Sequence, residues 1–176
     1  MLEGKNVNLR IMEKEDLPLL QEWMNNPKFM GEYQPITQWS RTELEKGEAS
    51  PFEWKWFFIE KKDGGKIGSI VQYNSYLGLV KLLEIGYALL PSERGKGYCT
   101  EAVQLIVDYL FLSMDVSRVQ ASLSIKNKAS ERVLEKAGFT REGTIRKTSR
   151  GARRDAYLYS ILREEWKEPK ILTKTT

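Results

Sequence analysis

The stretch Leu89–Leu90–Pro91–Ser92–Glu93–Arg94–Gly95–Lys96–Gly97–Tyr98–Cys99–Thr100–Glu101–Ala102 constrains this chain more than any other. Ahead of it, Leu83, Ile85, Tyr87 and Leu89 alternate with Glu84, Gly86, Ala88 and Leu90, the two-residue period of a strand. Pro91 ends that strand because it cannot donate to a ladder. Behind it, Val103, Ile106, Val107, Leu110 and Phe111 recur at i, i+3, i+4, i+7 and i+8, which predicts an amphipathic helix. A strand, a glycine loop and a helix in that order turn the helix's unpartnered N–H groups and its positive dipole end toward one point. Gly95 and Gly97 allow positive φ and close approach to a ligand, and Arg94 and Lys96 add charge. The guest that suits such a loop is a phosphate or diphosphate. A basic turn that only joins a strand to a helix has the same composition, so the loop alone leaves both readings open. It is neither a nucleotide P-loop, lacking Gly-Lys-Ser/Thr at the required spacing, nor the dinucleotide fingerprint, whose third glycine is missing.

The rest of the chain supplies context. Val7–Ile11 alternates as a strand, and Asp16 with Pro18 opens a helix whose apolar face is Leu19, Leu20, Trp23 and Met24. Residues 25–38 hold Pro27, Gly31 and Pro35 and predict a loop, with a short helix expected at 40–46. Strands at 54–60 and 67–73 flank the hairpin signal Asp63–Gly64–Gly65, and 80–90 forms the third strand of a meander. After the long helix, Val119, Ala121, Leu123 and Ile125 alternate as a strand. Asn127 caps a helix with face Ser130, Val133, Leu134 and Ala137, and Gly138 stops it. Two closing strands follow at 139–146 and 156–162, and the chain is expected to fray after Pro169. This order predicts an α/β (α+β) fold with a central mixed sheet and helices on both faces. The domain expected is 1–168, with 169–176 as a tail.

Composition narrows the chemistry. With 176 residues the chain fits one domain. It has one cysteine and no histidine, so an internal disulfide is impossible and a zinc site is not expected. No apolar run is long enough to span a bilayer, and a cytoplasmic location is the default expectation. Lys and Arg number 28 against 24 Asp and Glu, a net +4, which suits an anionic ligand and does not by itself indicate nucleic acid.

Two blocks resemble the GNAT N-acetyltransferases. Ser92–Glu93–Arg94–Gly95–Lys96–Gly97 is similar to the family's acetyl-CoA loop, Arg/Gln-x-x-Gly-x-Gly/Ala, although Ser92 departs from its first position. Asn127–Lys128–Ala129–Ser130–Glu131–Arg132–Val133–Leu134–Glu135–Lys136–Ala137–Gly138–Phe139 resembles the next helix and its Gly-Phe exit in the RimJ/RimL branch, which acetylates ribosomal-protein N-termini. The opening Leu9–Arg10 strand, Glu84–Ile85–Gly86–Tyr87 and the 155–166 ending are similar to that branch as well, so the likeness covers nearly the whole chain. It implies a GNAT fold, a mostly antiparallel twisted sheet, and acetyl-CoA as co-substrate without a metal. It also implies a splay between the strands holding Glu84 and Val119. The pantetheine arm would lie there on the backbone near Leu89 and Leu90. The loop residues Arg94, Gly95, Lys96, Gly97, Tyr98, Cys99 and Thr100, with Asn127 and Ser130, would complete the cofactor contacts.

Direct attack by an amine needs no Ser or Cys nucleophile, but it needs proton transfer. Glu84 is the candidate base, the competing reading being that it pairs a nearby arginine or faces solvent. Many family members place an acidic Tyr where this chain has Leu134; Ser130, one turn earlier, is the substitute, with capping as its competing role. Tyr33, Gln34 and Trp39 lie where the family shapes its acceptor pocket. Cys99 reads as structural, and Arg141, Arg146, Lys147, Arg150, Arg153 and Arg154 as a solvated basic run. An α-amine, with pKa about 7.7–8.0, is neutral in roughly a tenth of molecules at pH 7, a lysine at about 10.4 in roughly one in 2,500. A histidine-free site suits the first. The resemblance to the RimJ/RimL branch, with which this preference agrees, implies a protein N-terminal α-amine as the leading acceptor. The alternatives are a small-molecule amine (polyamine, amino sugar or antibiotic) and a non-catalytic CoA- or peptide-binding module. A monomer or homodimer is expected, with no nucleic-acid or membrane partner.

Overall fold

The computed structural model describes residues 1–34, 36–47, 54–77, 80–147 and 155–171. One eight-stranded sheet organises them in the order β1-β2-β3-β4-β5-β6-β8-β7. Its strands are β1 (Leu2–Glu3), β2 (Val7–Ile11), β3 (Lys55–Lys61), β4 (Lys66–Leu77), β5 (Val80–Leu89), β6 (Arg118–Ser124), β7 (Thr140–Ile145) and β8 (Ala156–Leu162). Every pairing is antiparallel except β5 with β6. The mixed, mostly antiparallel sheet agrees with the sequence expectation.

The two-residue period of β3 feeds both faces. Phe57 and Ile59 join the main core with Val103, Ile106 and Leu110 of α4 (Tyr98–Ser113) and Leu134 of α5 (Lys128–Lys136). Trp56 and Phe58 point the other way, against α1 (Leu17–Met24), α2 (Pro27–Met30) and α3 (Arg41–Gly47).

Several local details differ from the sequence reading. The segment predicted as a loop contains α2: Asn26 accepts from Lys28 N at 2.9 Å, and Pro27 takes a first-turn position where no N–H is needed. The short helix begins at Arg41, one residue later than expected, behind a reciprocal capping box in which Ser40 N donates to Glu43 Oε2 and Glu43 N to Ser40 Oγ. Asp16 stands at the start of α1, but its carboxylate does not cap that helix. It takes two hydrogen bonds from Arg10, at 2.9 Å each, and one from Lys66 at 3.0 Å. Arg10 Nε also donates to Glu60 at 2.8 Å, so two carboxylates that are each only 9% exposed share one guanidinium.

The fraying expected after Pro169 does not begin there. Asp108, buried on α4, accepts from Trp166 Nε1 at 2.7 Å and from the backbone N–H groups of Lys170 and Ile171. Glu101 on the first turn of α4 accepts from the backbone of Asn6 and Val7, which ties the start of the sheet to that helix.

Candidate active site

The ladder between β5 and β6 contains only Leu83–Val119 and Glu84–Gln120. Beyond that pair the two strands run on without pairing, and a gap opens between them. Leu90 N donates to Ile67 O at 2.9 Å on the β4 side. By antiparallel alternation, the N–H groups of Tyr87 and Leu89 therefore point the other way, into the gap. This corrects one expectation: of the two residues proposed for the pantetheine arm, Leu90 has its N–H committed to β4. The Leu89 carbonyl is also engaged, by Arg94 Nε at 3.1 Å.

The gap leads to the N-terminus of α4. Gly97 stands at its cap with φ 86°, no side chain caps the helix, and Glu101 N is the first to reach back, to Gly97 O. The N–H groups of Tyr98, Cys99 and Thr100 precede the first intrahelical donor and are presented together at the positive end of a 16-residue helix. Gly95, φ 78°, and Gly97 have no atom within 4 Å of an added Cβ, so the space over the loop is open. The groups present fit a diphosphate: converging backbone donors, open space over the two glycines and a helix dipole of the right sign.

The charged side chains of the loop behave differently from expectation. Arg94 does not reach over the loop. It donates to Lys28 O at 3.0 Å and Phe29 O at 2.9 Å as well as to Leu89 O, fastening α2 to the end of β5. A guanidinium with its donors fixed on three carbonyls serves as a clamp. Arg94→Ala is expected to cost about 2 kcal/mol, the scale of losing hydrogen bonds from a charged donor, measured by urea unfolding. Lys96 is paired with Glu93 at 3.0 Å. Cys99 is partly buried, and that burial pushes its thiol up to about 12, which fits the structural role.

Across the gap, Asn127 Oδ1 accepts from Ser130 N at 3.1 Å and caps α5. The Ser130 carbonyl accepts from Tyr87 Oη at 3.3 Å. Sequence reasoning missed Tyr87 as a site residue. Its phenol lies against the turn that carries Ser130, and burial raises its pKa, so it stays a donor.

Glu84 sits at the apex, 8% exposed. Among the described residues no arginine pairs it, and it is turned away from solvent. Its carboxylate accepts from Ser122 Oγ at 2.7 Å and Gln120 Nε2 at 3.1 Å. Tyr73, directly opposite on β4, adds its hydroxyl, and burial together with the nearby carboxylate raises the tyrosine's pKa. Trp54 packs on Tyr73 and Trp56, with ring centroids 5.9 and 6.1 Å apart, forming an aromatic wall on that face. Ser122, Gln120 and Tyr73 were not singled out from sequence, because only the register across three strands brings them to Glu84.

The expected acceptor residues divide. Trp39 is held by Asn25 and Gln21 and packs with Leu17, Leu20 and Leu44, so it anchors the loop to α1. Gln34 lines a small cavity with Met24, Met30 and Thr37, and Tyr33 is half-buried beside it in sequence. Of the basic run, Arg141 stacks on Tyr157 at 4.6 Å and approaches Glu131 at 3.6 Å. Arg150, Arg153 and Arg154 lie outside the described residues. Among the described residues, no group of three His, Cys, Asp or Glu could hold a metal ion. No helix among them is long and apolar enough to cross a membrane.

Comparisons with known proteins agree with this architecture. The family model for the Acetyltransferase (GNAT) domain matches residues 6–140. YjcK of Bacillus subtilis (strain 168), described as a probable N-acetyltransferase, is 34% identical over 166 residues, 84% of this chain and 87% of that protein. A GNAT-family acetyltransferase from Bacillus anthracis aligns with a TM-score of 0.76 at 28% identity, covering 93% of this chain and 98% of its own. RimJ of Mycobacterium smegmatis, solved in complex with CoA-disulfide, aligns with a TM-score of 0.77 at 26% identity, covering 93% of this chain and 85% of its own.

Proposed function

Because this chain belongs to the GNAT family and is an N-acetyltransferase, we propose that it transfers the acetyl group of acetyl-CoA to a protein N-terminal α-amine, in the manner of the RimJ/RimL branch. One observation carries the reading: β5 and β6 part after Glu84–Gln120, and the gap runs to the uncapped start of α4. The complex of a similar RimJ with CoA-disulfide supports a CoA ligand for this gap.

Acetyl-CoA would supply an activated thioester. The N–H groups of Tyr98, Cys99 and Thr100 bind the diphosphate, with Gly95 and Gly97 keeping the approach clear. Leu89 and Tyr87 turn backbone N–H groups into the gap, where one can hold the pantetheine arm and another can polarise the thioester carbonyl. Asn127 and Ser130 form the opposite lip. Glu84 accepts the amine's proton, and Ser130, backed by the phenol of Tyr87, stands on the side from which the leaving thiolate is protonated.

Two observations favour an N-terminal peptide over a polycation. A polycation needs several carboxylates around its site, and Glu43, an exposed one in the early region, is engaged in the Ser40 capping box. The face around Glu84 is walled by Trp54 and Tyr73, with Glu84 itself shielded by Gln120 and Ser122. The same reading takes 1–168 as one domain working in the cytoplasm, as a monomer or homodimer. Thiol release from acetyl-CoA, assayed against peptides with free N-termini, spermidine and an aminoglycoside, tests it. Turnover with the peptides is expected; turnover confined to the small amines would overturn the choice of acceptor.

A further inference from the structure

Glu84 is nearly closed off by the groups that hydrogen-bond to it, whereas Ser122 is exposed on the β6 wall, one same-face step beyond the last β5–β6 pair. Its hydroxyl hydrogen is directed at Glu84 Oε1, 2.7 Å away, which leaves the oxygen's lone pairs to accept from a group in the gap. The other carboxylate oxygen is held by Gln120 Nε2, which also contacts Ser75 Oγ at 3.2 Å. Tyr73 faces the carboxylate from β4, and Arg118 stands behind Gln120, its NH2 3.2 Å from Gln120 Oε1. Among the described residues, Tyr73 and Arg118 are titratable or charged groups that stand near Glu84 from the neighbouring strands. The carboxylate is fixed in position, and the short route from it to the gap passes through Ser122.

We propose that Ser122 is a catalytic residue that relays the acceptor amine's proton to Glu84, with Gln120 and Tyr73 as positioning residues. The step rests on the acetyltransferase reading above. As an N–H bond of the bound ammonium breaks, its proton bonds to Ser122 Oγ, and the hydrogen already on Oγ passes to Glu84 Oε1. The nitrogen keeps the electron pair, which forms the C–N bond at the thioester carbonyl. As the C–S bond breaks, its pair leaves on sulfur, and the nitrogen's second surplus proton passes to that thiolate. Ser122 ends as a hydroxyl and Glu84 as a neutral acid, which returns its proton to solvent by the same route reversed.

The test uses the full chain, acetyl-CoA and whichever of a free N-terminal peptide or spermidine the wild type acetylates. Ser122→Ala is expected to lower kcat about a hundredfold at pH 6.5, the lower end of the range for general acid–base assistance. The KM for acetyl-CoA should be unchanged. Ser122→Thr, which keeps the hydroxyl, should restore most of the rate. The double variant Glu84→Gln/Ser122→Ala should be no slower than Glu84→Gln alone, because both act in one relay. With the α-amine peptide, the deficit should shrink at pH 9, where an amine of pKa about 7.7–8.0 is already neutral. Wild-type kcat in Ser122→Ala, additive losses in the double variant, or an equal deficit at both pH values would overturn the relay while leaving the acetyltransferase intact. No turnover with either amine would remove both.

Discussion

Gly97→Val is expected to abolish measurable transfer while leaving the protein folded. Gly97 adopts φ 86° at the start of α4, and no atom lies within 4 Å of an added Cβ. The stability cost is therefore conformational, about 1–2 kcal/mol for a side chain in the left-handed region. Binding suffers more, because the new side chain fills the space over the first helical N–H groups. Losing two charge-assisted hydrogen bonds at about 1.5–3 kcal/mol each weakens acetyl-CoA binding on the order of a hundredfold or more. Gly64 provides a matched control: φ 85°, the same empty surroundings, but in the β3–β4 hairpin. Gly64→Val should lose similar stability in thermal unfolding and keep acetyl-CoA affinity in calorimetric titration. Equal affinities in the two variants would place the diphosphate elsewhere.

Arg10→Ala should destabilise the fold by about 3–5 kcal/mol, the cost of removing one partner from a buried ion pair. Arg10 is the shared donor for Asp16 and Glu60, and its guanidinium also lies 5.5 Å from the Phe58 ring centroid. Hydrogen bonding to Arg10 holds Asp16 well below its ordinary value of 3.8. A depressed carboxylate contributes stability that is fully present above 3.8 and is lost as pH falls through the lower folded value. The gap in denaturation midpoint between wild type and Arg10→Ala should thus be widest above pH 4 and narrow as acid is added below it. A gap independent of pH would assign the loss to packing on Phe58 alone.

How far the sequence reaches can be judged from particular residues. The strand–loop–helix at 89–102 was legible because it depends on local rules: alternation, a proline stop, two glycines and a helical repeat. Helix α2 is hidden in the sequence because Pro27 reads as a breaker, although Asn26 before it is a cap and proline is welcome in a first turn. The two-residue β1 offered too few residues to show a period. Arg94 carries a charge at the expected place, but its direction depends on the carbonyls of Lys28 and Phe29, more than sixty residues away in sequence. Ser122 read as the outward half of an alternating strand, and it does face outward. What could not be read was that Glu84 of another strand lies beside it, because register between strands depends on the whole sheet.

The position of β8 has a consequence for how the chain is made. It inserts between β6 and β7, so the strand that flanks β6 on its far side is made after the other seven described strands. Until Ala156–Leu162 is synthesised, β6 touches the sheet only at Val119 and Gln120, and Ser122 has no firm backing strand. A nascent chain halted before residue 156 would already contain Glu84 and the turn proposed to bind phosphate, yet lack a fixed second side to the cleft. The cleft would thus gain its second side only once β8 is made, after the loop at 94–97 and Glu84.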